Sequence, residues 1–392
     1  MMMSLTAIRK ALVLGVALCC LGSTALASHV DVAQHGKRLT IGSGDDKITV
    51  LYLRGTPYEM GYSQGKLCSA EIHYMAKQVA PLMMFGMGCS PAKADATFKL
   101  YASHMRPEYL EELRGLADGS GVPLVDIERG TALPDISEWH CSFFAAFGSA
   151  TKNGDVLQIR ALDYTTDAGI QKYPALVVYD PPTGVPFVNV GWLGQIGMVT
   201  GMNSAGIAMS EIGDDWDKDT DTFDARPLNF VMRDSVQFGR TLDEAVNLVK
   251  DGPRTSSLLY CLSSAREKAV RALQTSHAKC YVYAPDQLPF ARLQNCVYMS
   301  MGMDSKWNPK VGAALKSDLG KIDPEQAEGL MKRLGTGSLH AVVFEAGTGD
   351  MWVANATMTE KAYKRPFNHF NLREALSDPF FSGARVASNG SK

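Results

Sequence analysis

The 392-residue chain carries almost no excess charge of either sign: 39 lysines and arginines face 41 aspartates and glutamates, a formal balance of −2. No run of lysine or arginine stands out. That lack excludes the basic footprint of a nucleic-acid partner or of a protein held to an anionic membrane, and leaves no bulk field to gather a charged substrate. Cysteine is scarce as well. Eight in this length are too few for a disulfide scaffold, and no pair has zinc-site spacing. There are no internal repeats, and no apolar run reaches the roughly 20 residues of a bilayer span, so stable membrane insertion is not expected. What remains is a chain long enough to bury a sizeable core in one large domain or two medium ones.

The N-terminus reads as an export signal. Arg9 and Lys10 form a positive region, Ala11 to Leu21 is apolar, and Ala25-Leu26-Ala27 is a small-residue cleavage site that places the mature start near Ser28. A secreted or periplasmic location follows. Lipoprotein processing at Cys19 or Cys20 fits less well, because Leu18 occupies a position where a small residue is usual. Removing residues 1–27 leaves Cys68, Cys89, Cys141, Cys261, Cys280 and Cys296. Of these, Cys261 and Cys280 are the pair best placed to bridge, in neighbouring predicted strands.

Ile48 to Leu53 alternates like a strand, and Thr56-Pro57-Tyr58-Glu59 then opens a helix with a capping box and proline at its first position. Further helices are predicted after Ser90-Pro91 and from about Pro107 to the glycine-rich Asp118-Gly119-Ser120-Gly121. From about Cys141 the character changes. Phe143 to Ala150 and Val156 to Leu162 are predicted strands flanking Lys152-Asn153-Gly154-Asp155, and Asn-Gly is a strong hairpin signal. Strands continue through 175–179, 185–192, 198–202 and 207–212, linked by tight turns without helices, as in an antiparallel sheet. Helices return at 228–238 and after Thr241-Leu242-Asp243-Glu244, a second capping box. Strands at 258–262, 269–274 and 280–283, a helix from Asp323-Pro324, and a hairpin through 339–344 and 351–354 complete the chain. This segregation predicts an α+β fold with helices layered on antiparallel sheets.

Cys141 stands where a polar stretch turns into a strand, with Arg160 and Asp163 on the returning strand. A two-residue turn at Asn153-Gly154 pairs Phe147 with Arg160 and Phe144 with Asp163. Cys141 then faces Thr166 on the same side as Arg160, while Asp163 points to the other face unless the strand has ended. A guanidinium can stabilise a thiolate or orient a carbonyl, and an aspartate can hold an ammonium. His140 is the one histidine in the hairpin, next to the cysteine, which favours a nucleophile that carries its own base.

These residues resemble the autoproteolytic acyltransferase/hydrolase family typified by acyl-coenzyme A:6-aminopenicillanic acid acyltransferase. That family is a relative of choloylglycine and penicillin V hydrolases in the N-terminal-nucleophile superfamily. The similar segments, in family order, begin with Arg54 to Tyr62 with Gly65, Glu112 to Gly119, and Cys141-Ser142 through Gly154. Arg160-Ala161-Leu162-Asp163-Tyr164, Gly201 to Gly206, and Leu339 to Phe344 with Trp352 to Asn355 follow. The resemblance implies a four-layer αββα sandwich, a segment 28–140 packed on a catalytic chain 141–392, and no metal or organic cofactor. It also implies that Cys141 attacks the His140-Cys141 peptide bond and becomes a new N-terminus. The freed α-amine, with a solution pKa near 8, serves as general base. The thiolate then forms an acyl-enzyme from a small-molecule acyl amide or thioester. Water completes hydrolysis; an amine completes acyl transfer. Asp163 orients the amine and Arg160 supports the thiolate or the carbonyl.

Two departures stand out. Relatives place an oxyanion-donating asparagine where this chain reads Ser256-Ser257-Leu258, which leaves two alternatives open: Ser256 or Ser257 substitutes for it, or the substrate is unusual. Ser263 to Arg266 lack the usual Asp-x-x-Gly turn. Asn203 is carried as a further catalytic candidate, although Asn-x-x-Gly also simply caps a turn. Glu211 either lines the pocket or marks a strand's solvent end, and His340 reads as a satisfied, partly buried histidine. Two rival readings follow: a catalytically silent binding protein on the same scaffold, motivated by the missing asparagine, and a cysteine peptidase with His277 or His340 as distant base.

Overall fold

The computed structural model describes residues 31–136, 141–290 and 292–382. The expected export signal, its cleavage site and His140 lie outside the described residues.

Three short strands open the fold: β1 (Asp31–Ala33), β2 (Gly36–Ile41) and β3 (Ile48–Arg54). A helical block follows: α1 (Pro57–Leu67), α2 (Ser69–Tyr74), α3 (Ala80–Gly86), α4 (Pro91–Ala102), α5 (Pro107–Ser120) and α6 (Leu124–Ile136), with a π-helical turn at Met75–Val79 between α2 and α3. The predicted capping box at Thr56 is complete, with Glu59 N donating to the Thr56 hydroxyl and Thr56 N to the Glu59 carboxylate. Helices α1 and α5 pack backbone to backbone. A Cβ on Gly61 would stand 2.0 Å from Glu112 O, and one on Gly115 2.1 Å from Tyr58 O. The glycines of the two resembling segments therefore serve close helix approach.

The next strands are β4 (Ser142–Gly148), β5 (Gly154–Leu162), β6 (Pro174–Asp180), β7 (Phe187–Trp192), β8 (Thr200–Asn203) and β9 (Ile207–Gly213). Helices α7 (Leu228–Phe238) and α8 (Leu242–Lys250) lead to β10 (Leu258–Ser264), β11 (Ala269–Thr275), β12 (Cys280–Tyr283) and β13 (Cys296–Ser300). The chain closes with α9 (Asn308–Asp318), α10 (Pro324–Leu334), β14 (His340–Glu345), β15 (Asp350–Asn355), β16 (Asn368–Asn371) and α11 (Leu372–Leu376). At α8, the Thr241 hydroxyl caps Glu244 N, but Glu244 reaches Arg240 N instead of Thr241, so this box is half formed.

The strands build two sheets, ordered β1-β2-β3-β6-β7-β8-β9-β10-β11-β12 and β13-β4-β5-β14-β15-β16. Strands β4 and β5 lie across β9, β10 and β11, so the sheets stack face to face. Helices α7 and α8 cover the first sheet at β8, β9 and β10; α9 and α10 cover the second at β13 and β14. The result is the α+β, four-layer αββα sandwich. Polar contacts cross the sheet interface, as where Gln158 Nε2 donates to Ser210 Oγ at 2.8 Å and to Cys261 O at 3.1 Å.

Residues 31–136 are more than a helical cover. Strand β3 pairs in parallel with β6 over six residues, so the N-terminal segment supplies three strands of the larger sheet. The Cys261–Cys280 bridge does not form, and none of the six described cysteines is in a disulfide. Strand β11 separates β10 from β12, and Cys280 lies three residues along from the position across from Cys261, so the two are farther apart than two strand spacings of roughly 9–10 Å and beyond disulfide reach.

Candidate active site

The hairpin that carries Cys141 is shifted by four residues from its expected register. Phe143 pairs with Arg160 and Ser142 with Ala161. Instead of a two-residue turn, residues 149–153 form a loop, with a register irregularity between Ala146 and Gly148. Lys152 N donates to Ile322 O, tying that loop to a segment far along the chain. Because four is even, the faces are preserved, and Cys141 remains on the Arg160 side. Strand β5 ends at Leu162, which frees Asp163 from the pleat.

Cys141 is buried, and its backbone carbonyl accepts Met301 N at 2.9 Å. Its Sγ lies 3.9 Å from Asp163 O and within hydrogen-bonding range of the Arg160 guanidinium. Burial pushes the thiol up to about 11, against the opposing pull of Arg160. Near neutral pH the thiol therefore holds its proton, and chemistry at Sγ needs a base.

Arg160 is fully buried and projects across the sheet interface to Glu211 on β9. Its Nη1 also donates to Ala161 O at 3.3 Å. Burial raises the Glu211 pKa, while Arg160 pulls it down. Of the two readings for Glu211, the structure takes the first, since it lines the cavity beside Cys141 and Arg160. Asp163 is held by the loop after α10: Gly337 N and Ser338 N donate to Oδ1 at 3.0 and 2.8 Å, and the Thr336 hydroxyl donates to Oδ2 at 2.7 Å. The Thr336 oxygen stands 2.8 Å from Ser142 Oγ, which stands 2.8 Å from Ser300 Oγ. A carboxylate only accepts, so the hydroxyl protons run from Ser300 through Ser142 and Thr336 to Asp163.

Cys141, Arg160 and Glu211 border a cavity whose remaining walls are mostly apolar. Ile72, Met75, Val79 and Met83 come from the block around α2 and α3, Ile127 and Leu133 from α6, and Trp192 and Leu228 from the C-terminal part. The polar atoms are few. Trp192 Nε1, Gln195 Oε1 and Asn229 Oδ1 are buried there without partners among the described residues. Such a cavity suits an apolar group presented to a small set of polar atoms.

The structure does not bring every candidate here. Asn203 Nδ2 donates to Val236 O and Gly239 O, and its Oδ1 accepts Ala205 N and Ile207 N. Its hydrogen-bonding capacity is spent on tying the turn after β8 to the C-terminal end of α7, and it does not line the cavity. Ser257 N and Oγ both donate to Asp221, and neither Ser256 nor Ser257 reaches the cavity wall. His340 sits 2.9 Å from the Thr200 hydroxyl and stacks on Trp192. Burial, with Arg160 adding to it, holds its pKa well below the usual histidine value. His277 is engaged with Arg254 O. Thr336, Ser300 and Asn229 were not singled out in the sequence; a threonine before Gly-Ser, a strand-end serine and an asparagine in a helix carry no local mark of chemistry.

Comparison with known proteins adds a family match over part of the chain. Residues 149–288 match the family of acyl-coenzyme A:6-aminopenicillanic acid acyl-transferase. The resemblance read in the sequence is shown by that match, which spans Arg160, Asp163 and Glu211. Protein dcd1A of Dictyostelium discoideum is 27% identical over 394 residues, covering 90% of this chain and 88% of that protein. Protein dcd1B of the same organism is 24% identical, covering 88% and 78%. Among solved structures, the Caenorhabditis elegans N-acylethanolamine-hydrolyzing acid amidase ortholog is 15% identical, with a TM-score of 0.44 over 53% of this chain and 93% of its own. The matched family is described as an acyl-transferase, which is consistent with an enzyme that handles acyl groups. No helix among the described residues is long and apolar enough to cross a membrane.

Proposed function

We propose that this protein is an exported, self-cleaving cysteine amidohydrolase or acyltransferase whose nucleophile is Cys141. The observation that carries this is the position of Cys141: a buried thiol at the head of β4, beside the Arg160 guanidinium, in the wall of a largely apolar cavity. The thiol attacks the carbonyl of the preceding residue, the acyl group shifts from nitrogen to sulfur, and water hydrolyses the thioester. That frees the α-amine of Cys141, a base with a solution value near 8, against a thiol held near 11 in the uncut chain.

In turnover the amine takes the Sγ proton, and the thiolate adds to an acyl carbonyl whose apolar part fills the cavity. The new ammonium protonates the departing nitrogen, leaving a thioester on Cys141. Water or a second amine then completes hydrolysis or transfer. Asp163, fixed by three hydrogen bonds, holds the ammonium on its side of Sγ. The cut leaves the assembly intact, because β3 stays zipped to β6 and Glu112 on α5 stays paired with the buried Arg233 on α7. The basic, apolar and small-residue pattern of residues 9–27 supports export.

Intact-mass analysis of the purified protein tests this. Two chains separated between residues 140 and 141, with Cys141→Ala remaining whole, are expected. A single uncut wild-type chain that no thiol probe labels at Cys141 contradicts it.

A further inference from the structure

Strands β7 and β8 are joined by residues 193–199, a connection without regular structure that forms one wall of the cavity beside Cys141. Its backbone is pinned from several elements. Gly194 N donates to Gln64 Oε1 at 2.9 Å, Gln195 N to Trp192 O at 3.1 Å, and Met198 N to Asn229 O at 2.9 Å. Arg233 Nη1 and Asn189 Nδ2 donate to Ile196 O and Gly197 O at 2.8 and 2.9 Å. At its end, Val199 O accepts from Arg160 Nε at 3.5 Å, which ties the connection to the guanidinium beside the thiol.

On the same wall three buried side-chain atoms are left unspent. Trp192 Nε1, Gln195 Oε1 and Asn229 Oδ1 have no hydrogen-bond partner among the described residues. Other contacts hold their side chains in place. The Trp192 indole stacks on His340, with 5.5 Å between ring centres. Asn229 Nδ2 donates to Thr131 O at 3.4 Å, which leaves Oδ1 facing away from that carbonyl. Two glycines make room for the amides. A Cβ on Gly191 would stand 2.6 Å from Gln195 Oε1, and one on Gly197 2.4 Å from Asn229 Nδ2. The trio amounts to one donor and two acceptors on a fixed frame.

We propose that these three atoms form a polar subsite within the acyl cavity. The acyl group it takes carries a neutral substituent that both donates and accepts hydrogen bonds, of which a hydroxyl is the smallest. The inference rests on the acyl-enzyme reading above and adds the chemistry of the acyl half. A plain alkyl chain seated here strips water from three polar atoms and returns nothing. A hydroxyl accepts from the indole and donates to an amide oxygen. An oxo group only accepts, so it leaves both amide oxygens bare. A carboxylate would meet those two oxygens with its own negative charge, and an ammonium finds no spare carboxylate. The charged residues of the wall are already paired, Arg160 with Glu211 and Asp126 with Lys77 and Arg129.

The test is a set of kcat/KM values for the mature wild-type enzyme on dodecanoyl amides of one amine. One series carries a single hydroxyl, moved carbon by carbon along the chain; a matched series carries an oxo group. A hydroxyl at one favoured position is expected to exceed the plain chain by about tenfold or more, because a site built to hydrogen-bond a group rejects the analogue that lacks it. Elsewhere on the chain the hydroxyl is expected to lower kcat/KM, since it must be desolvated against apolar walls. The oxo group at the favoured position is expected to gain less than the hydroxyl. Trp192→Phe and Gln195→Met are each expected to shrink the ratio of hydroxylated to plain chain by about fivefold. A plain chain that matches every hydroxylated one, an oxo group that does as well as the hydroxyl, or a ratio unmoved by both variants overturns the subsite and leaves the acyl-enzyme reading standing. Absence of turnover on every amide overturns that reading and the subsite with it.

Discussion

Two buried arginine–glutamate pairs cross this molecule, and their surroundings give them different work. Arg233 on α7 meets Glu112 on α5 at 2.6 Å, and both are almost completely buried. The Arg233 guanidinium sits over Tyr109 and Tyr179, 4.7 and 4.8 Å from their ring centres, and Nη1 donates to Ile196 O. Every direction is closed by protein. Arg160 meets Glu211 in the same chemistry, yet it borders a cavity and a thiol. An ion pair in a low-dielectric interior is not itself a site; access to a nucleophile and to open volume makes the difference.

Glu112→Ala should strand the Arg233 charge and cost about 3–5 kcal/mol of stability. Denaturant unfolding measures the loss, and turnover per folded molecule should stay near wild type. Arg160→Lys replaces a planar fork with a point charge and should lower kcat/KM on the order of a hundredfold, comparable with removing an oxyanion donor. The expected stability loss is smaller than for Glu112→Ala, because Glu211, raised by burial, can take a proton once the guanidinium is gone. If Arg160→Lys unfolds the protein and Glu112→Ala abolishes turnover in folded protein, the division between the pairs is wrong.

A third buried carboxylate sharpens the contrast. Asp135 accepts from the Thr255 hydroxyl and Leu228 N, with no guanidinium among these partners. Burial pushes its pKa up to about 7 from 3.8, against those hydrogen bonds. The folded state thus keeps a proton that the unfolded state releases as pH rises from about 4 to 7, so this group lowers stability across that window. Asp135→Asn should flatten the fall in melting temperature between those pH values. A steeper fall in the variant would reverse the sign of the argument.

Much of the fold was legible because its signals are local. The helix starts at Thr56, Ser90 and Asp323 each cap through their own side chains, as the residue pattern implies. The glycines of α1 and α5 stand in the resembling segments, but their purpose depends on the contact between the two helices, which no local pattern shows. The hairpin register slipped by four because the Ile322 contact that holds its loop comes from far along the chain. The faces survived the slip, which is why Arg160 was placed correctly beside Cys141. Asp163 was undecided in the sequence, and its position depends on Thr336, Gly337 and Ser338, which no local pattern connects to it. Long-range tertiary contacts of that kind also separate Asn203, which satisfies a turn, from the group it was expected to join.

The most direct test of the central claim is the mass of the fragment beginning at Cys141 after brief exposure to an acyl amide and acid quench. The predicted result is an adduct of one acyl group, located by peptide mapping on the Cys141 thiol and discharged by hydroxylamine, with no adduct in Cys141→Ala. Turnover by an enzyme whose acyl group is found on another residue, or by a chain still joined at residues 140 and 141, would contradict the account.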